Sequence, residues 1–423
     1  QLTGNQFSEN GRDGLYFNLP DGVASMGGTV SNNTFVGNGG LEAFYIYQDA
    51  ADCALNITAN TIATHNHHGI WLDNFSSAQY TIVGNDISDS GTGLAITAEP
   101  QAGTVTLDIT TNVLYQGRDG IHLWAYESAR IDARVIGNEI YGHDRLGISC
   151  DARSTGATVD TLIRGNHLYG NGQDAGYGIG YSAIECLEAG GALTRSRILA
   201  NRIHDNNGWG IYSESSESVD IRYNRIDHNQ GGVYVATDDE STVSFNNIHD
   251  NYFSYYVAIY RHELANGSGT AVFAQYNYWG PIYTTAIESG SNPRELPFIY
   301  DRWDSLALGY VEYSNWLQES IDTSDEDGDG LTDLYEGQRD LDPLLPDTDG
   351  DGLDDQTEMD FWGVNWDGDA DGDGLINVLD PDSDNDGAPD GLEVSGGTDP
   401  SDPADAQVRV YEDGEDGLIL GWD

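Results

Sequence analysis

The amino-acid sequence predicts an all-β protein: a solenoid of short strands, an irregular segment of repeated acidic loops, and a terminal β-hairpin. A pattern of about 27 residues recurs through residues 1–300, where short runs alternate between apolar and polar and no helical periodicity occurs. Acidic residues are concentrated after Ile321, at regular spacing. We therefore predict three parts: residues 1–320 with a cap at their C-terminal end, residues 321–406, and residues 407–423.

The first repeated element is an asparagine placed two positions before an apolar residue. A side-chain amide at the same turn of every coil can bond its equivalent one coil away, and asparagine tolerates left-handed backbone angles. The pattern therefore predicts an asparagine ladder and about eleven coils. The asparagines are Asn5, Asn33, Asn60, Asn85, Asn112, Asn138, Asn166, Asn201, Asn224, Asn246 and Asn277.

A second signature, glycine followed by apolar-x-apolar, lies between successive asparagines, as in Gly69-Ile70-Trp71-Leu72. Together with the asparagine repeat and the ending Tyr276-Asn277-Tyr278-Trp279-Gly280, it resembles the right-handed parallel β-helix proteins of the pectate-lyase type. The resemblance covers about residues 1–300 and implies a right-handed parallel β-helix. That fold hosts lyases, hydrolases, epimerases and adhesins, so the resemblance leaves the chemistry open.

Four acidic loops follow in one register: loop 1 (325–336), loop 2 (347–358), loop 3 (369–380) and loop 4 (382–393). Each has glycine at position 6 and oxygen-bearing side chains at positions 1, 3, 5, 9 and 12. A hard cation that needs six to eight oxygens near 2.4 Å obtains them from such a loop, so the pattern predicts Ca²⁺ sites. The predicted metal ligands are Asp325, Asp327, Asp329, Asp333, Glu336, Asp347, Asp349, Asp351, Asp355, Glu358, Asp369, Asp371, Asp373, Asn377, Asp380, Asp382, Asp384, Asp386, Asp390 and Glu393.

The loop starts lie 22, 22 and 13 residues apart, and the sequence around them predicts no EF-hand helices. This spacing resembles thrombospondin type 3 repeats. The resemblance implies a chain that wraps around a row of Ca²⁺ ions, about four or more, with little regular structure. Without flanking helices there is nothing to open, so we predict structural, extracellular sites rather than sensor sites. The alternative is a disordered acidic linker.

The charge distribution excludes several partners. The chain has 71 acidic residues against 17 arginines and no lysine, a net charge of −54, and residues 321–423 contain 34 of the acids. Repulsion excludes nucleic acids and anionic bilayers as partners. No apolar run is long enough for a membrane span. The chain starts at Gln1 without a charged and apolar leader, so we expect a secreted protein, extracellular or on the cell surface, whose signal peptide has been removed.

Outward-facing positions of the solenoid supply candidate glycan-binding residues. The x position of the glycine signature faces out, and aromatic rings beside carboxylates there are typical of sugar binding. The candidates are Tyr16, Tyr45, Trp71, Asp73 and Trp124. The full x column is predicted as Tyr16, Tyr45, Trp71, Ala95, His122, Ser149, Gly180, Tyr212 and Tyr234, and the next outward column includes Asp151, Ser182 and Glu214.

Catalytic machinery is not evident in these columns. Asp151 and Glu214 lie two coils apart, near the upper limit for a glycosidase pair. Three consecutive coils read Ile203-His204-Asp205-Asn206, Ile226-Asp227-His228-Asn229 and Ile248-His249-Asp250-Asn251. Two interpretations stay open: a metal or acid–base site that pairs His228 with Asp205 or Asp250, or cross-coil ion pairing that separates like charges. Asp151, His228 and Asp205 remain the catalytic candidates.

The leading hypothesis is a secreted calcium-binding β-solenoid with a structural or adhesive role, including a head-to-tail extracellular filament. One alternative is a polysaccharide lyase, epimerase or hydrolase, and another is a non-catalytic glycan-binding protein. The predicted partners are calcium, further copies of the chain, and a polysaccharide or cell surface.

Overall fold

The structure is a computed structural model that describes residues 1–19, 25–37, 42–49, 52–99, 103–174, 181–251, 262–405, 409–413 and 417–421. The chain divides into two compact units, Gln1–Ile321 and Asp322–Asp423, close to the step in charge density. Across the described ranges, no helix combines the length and the apolar character that crossing a bilayer requires.

The first unit is a parallel β-solenoid, which confirms the predicted fold class. One of its sheets contains twelve strands in the described residues, and each strand pairs in parallel with the strand one coil away. The strands are Leu2–Thr3, Ser25–Ser31, Asp52–Thr58, Ala78–Val83, Thr104–Thr110, Arg130–Ile136, Thr158–Arg164, Leu193–Leu199, Val219–Arg222, Ser241–Ser244, Val272–Phe273 and Val311–Glu312.

The second set of strands contains the two repeated sequence signatures. The short strands after the ladder asparagines are Gln6–Ser8, Thr34–Val36, Val113–Tyr115, Glu139–Tyr141, His167–Tyr169, Arg202–His204, Arg225–Asp227 and Asn247–His249. The strands after the glycines are Leu15–Leu19, Glu42–Gln48, Asp119–Tyr126, Ile148–Arg153, Ile184–Ala189, Trp209–Ser215, Gly231–Thr237, Leu264–Asn266 and Ile299–Tyr300. In two coils the two kinds merge into one strand, Thr61–Asn74 and Asp86–Ala98.

The predicted asparagine ladder is present from Asn5 to Asn277. In each step, the Oδ1 atom of one asparagine accepts hydrogen bonds from the backbone N–H and the Nδ2 atom of the asparagine one coil earlier. Asn112, for example, donates from N at 2.9 Å and from Nδ2 at 3.0 Å to Oδ1 of Asn138, and its Nδ2 also donates to the carbonyl of Ile82 at 2.8 Å. Asn138 is 1% exposed, so this pairing satisfies polar groups that water cannot reach.

The backbone strain of this turn falls on the residue before the asparagine, not on the asparagine as the sequence analysis implied. Gly84, Thr111 and Gly137 precede ladder asparagines with φ of +63°, +52° and +64°. The asparagine itself is therefore selected for its side-chain hydrogen bonds alone.

The glycine signature marks a close approach between coils. A Cβ atom at Gly120 would lie 2.4 Å from the carbonyl oxygen of Gly147, and one at Gly69 would lie 2.6 Å from that of Gly93. Such distances are well inside van der Waals contact, so only glycine fits there.

The solenoid core is mostly aliphatic, with a few buried aromatic rings such as Phe35 and Tyr80. Isoleucine, leucine and valine fill the inward positions, and Ile70, Ile121 and Ile226 are fully buried. Cys150 and Cys186 occupy register positions side by side in this core as free thiols. After the last ladder asparagine, the fully buried Trp279 precedes helix α1 (Gly280–Glu288), which buries Ile287 and contacts the strand Asn247–His249.

The second unit is mostly irregular, as predicted, but it contains short helices that the sequence analysis did not predict. They are α2 (Asp333–Gly337), α3 (Asp355–Trp362) and α4 (Asp390–Gly396), and each begins at position 9 of a loop. A small core of Leu331, Leu341, Met359 and Val378 joins the loops. Further on, the strands Arg409–Asp413 and Gly417–Gly421 pair antiparallel, which forms the predicted hairpin.

Candidate metal-binding sites

Each acidic loop is curled by its own aspartates. In loop 1, Asp325 Oδ1 accepts from the N–H of Gly328 at 2.8 Å, and Asp329 Oδ1 accepts from the N–H of Leu331 at 2.7 Å. The position-6 glycines adopt left-handed backbone angles, as at Gly330 with φ +108°. Residues with a side chain rarely adopt this backbone conformation, so the loop geometry requires glycine at position 6.

In loops 1, 2 and 3, the curled backbone brings three aspartate carboxylates close together. Three groups of three have ligand oxygens that all lie within 4.8 Å of one another: Asp325, Asp327 and Asp329; Asp347, Asp349 and Asp351; and Asp369, Asp371 and Asp373. Two ligands at about 2.4 Å from one ion are at most about 4.8 Å apart. Each group therefore fits around one Ca²⁺.

The position-12 glutamates are the strongest indication of a cation site. Glu336, Glu358 and Glu393 are fully buried, and neither oxygen of any of them has a hydrogen-bond partner among the described residues. Burial, and then the neighbouring aspartates, raise the pKa of Glu336 to about 9, of Glu358 to about 10 and of Glu393 to about 7. An unpaired buried carboxylate is costly, whereas a divalent cation would satisfy both of its oxygens.

Loop 3 differs from the other three. Its position 12 is Asp380, and its position 9 is Asn377, which starts a 3₁₀ turn instead of an α-helix. The Asn377 amide is already engaged, since Oδ1 accepts from Ala370 N at 3.0 Å and Nδ2 donates to the carbonyl of Asn365 at 2.9 Å. Loop 3 therefore has fewer free carboxylate oxygens than its neighbours.

A separate group on the solenoid combines a carboxylate with two imidazoles. Ligand atoms of Glu42, His67 and His68 lie within 4.8 Å of one another, and Glu42 is 2% exposed. Glu42 and His68 are register partners on adjacent strands, and His68 Nδ1 lies 3.3 Å from Glu42 Oε1. The His68 ring also packs on Trp71, with ring centroids 4.9 Å apart. Two imidazoles and a carboxylate suit Cu²⁺, Zn²⁺ or Fe²⁺ rather than Ca²⁺. The sequence analysis did not assign this group, because only the strand pairing brings Glu42 beside the histidines.

The predicted glycan-binding residues form a stacked column. The Tyr16 and Tyr45 rings lie 5.1 Å apart, and the Tyr45 and Trp71 rings lie 4.7 Å apart, both stacked. Asp73 accepts from the Tyr45 hydroxyl at 3.3 Å, and burial raises its pKa to about 6. The Trp124 ring packs against His122, with centroids 3.6 Å apart. Stacking occupies ring faces that a sugar would use, and glycan binding stays a prediction.

The catalytic candidates are held by neighbours. Asp151 is 4% exposed and accepts from Arg153 Nε at 2.8 Å and from its Nη2. Asp205 and Asp250 of the neighbouring coils act on His228 through their charges, and both interpretations of this cluster stay predictions. The direct pairs form between adjacent residues of one coil. They are His204–Asp205 at 2.6 Å, His228–Asp227 at 2.7 Å and His249–Asp250 at 2.9 Å.

These six residues occupy two backbone positions in each coil. Asp205, His228 and Asp250 occupy the turn position with φ near +55°, whereas His204, Asp227 and His249 lie in the preceding strand. The two side chains of each coil are hydrogen-bonded to each other. The hydrogen bond to Asp227 raises the pKa of His228, an exposed side chain.

One outward carboxylate was missed by the sequence analysis. The x column passes from Ser149 to Glu185 and then to Tyr212, so Gly180 and Ser182 were wrongly placed in the two outward columns. Gly180 lies outside the described residues, and Ser182 precedes the strand. Burial raises the pKa of Glu185 to about 7. The coil between Asn166 and Asn201 spans 35 residues, and this longer coil displaced the assignment.

Comparison with known proteins adds one finding. The model of a family described as NosD, periplasmic copper-binding protein, matches residues 1–107 and 102–285. The matched ranges cover more than half of the chain and stop before the acidic loops. Neither a curated protein nor a solved structure gives a significant match.

Proposed function

The chain belongs to the NosD family, described as periplasmic copper-binding proteins, and from this premise we propose that it is a β-solenoid acting outside the cytoplasm, with a calcium-stabilised C-terminal segment. The observation that carries the calcium role is the set of three fully buried glutamates, Glu336, Glu358 and Glu393, whose oxygens have no partner among the described residues. We infer a structural role for the ions. The helices that begin at position 9 of loops 1, 2 and 4 are only five to eight residues long, which is short for a sensor that opens.

Equilibrium dialysis with radioactive calcium tests this role on the full chain. We expect about four ions per chain at millimolar calcium, the range of extracellular modules. Glu336→Gln, Glu358→Gln and Glu393→Gln combined should leave about one ion, in loop 3. The matched control combines Glu240→Gln, Glu295→Gln and Glu312→Gln, which are exposed positions of the first unit, and should still bind four. A parent chain that binds no calcium would refute the proposal.

A second candidate function is binding of a copper ion at Glu42, His67 and His68. The family's description supports copper, and this group supplies nitrogen and oxygen donors within reach of one ion. The set has no thiolate or thioether, so it suits Cu²⁺ rather than Cu⁺. When bound, the ion would be held by imidazole nitrogens on one strand and by the Glu42 carboxylate on the next.

Electron paramagnetic resonance tests the copper site, with the acidic loops saturated by calcium. One equivalent of Cu²⁺ should give nitrogen hyperfine structure in the parent. His67→Ala with His68→Ala should remove that signal, and His228→Ala, an exposed histidine on another coil, should not. An unchanged nitrogen signal in the double variant would place copper elsewhere.

The adhesive and filament roles stay predictions, as do the polysaccharide enzyme and glycan-binding alternatives. Electron microscopy with and without calcium tests assembly, because a filament subunit should form fibres in calcium. Incubation with acidic polysaccharides, followed by absorbance of unsaturated products, tests lyase activity. Asp151→Asn is the matched variant for that assay.

A further inference from the structure

Neighbouring acidic loops meet through one repeated contact. The position-5 aspartate of loop 1, Asp329, accepts through Oδ2 from the N–H of Gln356, position 10 of loop 2, at 3.1 Å. The position-5 aspartate of loop 2, Asp351, accepts through Oδ2 from the N–H of Gly391, position 10 of loop 4, at 2.6 Å. In both pairs, therefore, the backbone N–H at position 10 of one loop donates to the aspartate at position 5 of the other loop.

This contact brings the position-9 carboxylate of one loop to the ion position of the other. Ligand oxygens of Asp329, Glu336 and Asp355 lie within 4.8 Å of one another, although Asp355 belongs to loop 2. Glu336 is fully buried and both of its oxygens lack a partner among the described residues, so a cation bound at this point would satisfy them. Asp355 retains acceptor capacity, because within the described residues each of its oxygens accepts one hydrogen bond, both from Thr348.

The contact between loops 4 and 2 is equally close. A Cβ atom at Gly391 would lie 2.7 Å from the carbonyl oxygen of Asp351 and 2.9 Å from the carbonyl carbon of Gly352. The adjacent Asp390 is fully buried, and its Oδ2 atom has no partner among the described residues. Glu358, the position-12 residue of loop 2, also has both oxygens without a partner in the described part of the chain.

We propose that Asp355 and Asp390 are shared ligands, Asp355 completing the calcium site of loop 1 and Asp390 that of loop 2, so that loops 1, 2 and 4 form one array of calcium sites linked by shared carboxylates. The inference rests on the calcium role proposed above. Loop 3 lies outside the array, because its position 9 is the engaged amide of Asn377. It meets loop 4 through an amide instead, Asn385 Nδ2 donating to Asp371 Oδ2 at 2.6 Å.

Hydrogen exchange measured across a calcium titration of the full chain tests this assignment, because each loop yields its own midpoint. Asp355→Asn should raise the calcium midpoint of loop 1 by about tenfold, and Asp390→Asn that of loop 2. Asp333→Asn is the matched control: it changes position 9 of loop 1, which has no earlier loop to serve, so loops 2 and 4 should keep their midpoints. Loop 3 should be unaffected by all three.

Gly391→Ala supplies a second variant that changes no ligand. The added methyl group should push loop 4 from loop 2 and raise the loop 2 midpoint, while protection of residues 1–321 reports that the chain is still folded. Midpoint shifts confined to the mutated loop itself would show that Asp355 and Asp390 are not shared ligands, and would leave the calcium role intact. A parent chain with no calcium-dependent protection in any loop would overturn both.

Discussion

The two units of this chain differ in whether their buried polar side chains have hydrogen-bond partners. In the solenoid, Asn112 and Asn138 are both 1% exposed, and each finds its partners in the neighbouring coils. In the acidic unit, Glu336 and Glu358 are fully buried and their oxygens lack partners among the described residues. A ladder of amides is complete without any ligand, whereas a cluster of carboxylates requires a counter-ion.

The comparison shows that burial alone does not identify what stabilises a segment. The solenoid has a long aliphatic core, but the acidic unit has a small one centred on Leu331, Leu341, Met359 and Val378. A small apolar core is usually supplemented by a metal or a disulfide. The four predictions below test this difference, from the largest expected effect to the smallest.

Removing calcium should give the largest difference between the two units in hydrogen-exchange protection. With excess chelator, amides of residues 322–405 should lose most of their hydrogen-exchange protection, because repulsion among unpaired carboxylates opens the loops. Amides of residues 52–99 and 103–174 should keep theirs. Equal protection with and without chelator in the acidic unit would contradict the comparison.

Glu358→Gln should weaken calcium binding at loop 2 by about 100-fold, or about 3 kcal/mol, because it removes a bidentate ligand. The same change should stabilise the calcium-free chain, since it removes a buried unpaired carboxylate. Calorimetric titration measures the first effect and thermal unfolding in chelator measures the second. Glu312→Gln, an exposed glutamate, should change neither quantity.

Asn138→Ala should lower the free energy of unfolding of the solenoid by about 3 kcal/mol. It leaves the backbone N–H and the Nδ2 atom of Asn112 without their acceptor, and each unsatisfied buried group costs about 1–3 kcal/mol. Asn5→Ala, at an exposed position of the same ladder, should cost less than about 1 kcal/mol. Denaturant unfolding in saturating calcium compares the two, and equal losses would contradict a ladder stabilised by buried hydrogen bonds.

Glu263→Gln should have an effect that depends on pH. Asn251 donates from N and Nδ2 to Glu263, but burial raises the pKa of this carboxyl to about 8. In the unfolded chain the carboxyl loses its proton near pH 4.3. The folded protein therefore binds more protons between about pH 5 and 8, and its stability falls as pH rises through that range.

The glutamine variant lacks this titration. Its stability relative to the parent should increase steadily from pH 5 to 8 and stay level above about pH 9. Thermal unfolding at several pH values in calcium measures the difference. A difference that does not change with pH would show that Glu263 is ionised throughout the range.

The features that could be predicted from the sequence are those that repeat along the chain. Asparagine at every turn and glycine before each strand recur because each coil imposes the same geometric requirement, and one sequence shows that requirement many times. Position-6 glycines such as Gly330 follow the same logic. Both the solenoid and the loop boundaries could therefore be predicted without a structure.

Features that occur once could not be predicted. Glu185 lies in a coil of 35 residues, so the average spacing pointed to the wrong residues. Glu42 joins His68 only through strand register. The short helices α2, α3 and α4 begin inside the loops, where the density of aspartate obscures any apolar periodicity. In each case the decisive contact joins residues whose relation is not periodic.

The ladder also bears on how such a chain can change its length. Successive ladder asparagines are separated by as few as 22 and as many as 35 residues, yet the bonds between them are alike. Extra residues are accommodated between the fixed points and do not disturb the next layer. A tandem duplication of one layer would thus present the same amide donor and acceptor at both of its faces, which gives evolution, or a protein engineer, a way to lengthen the chain one unit at a time.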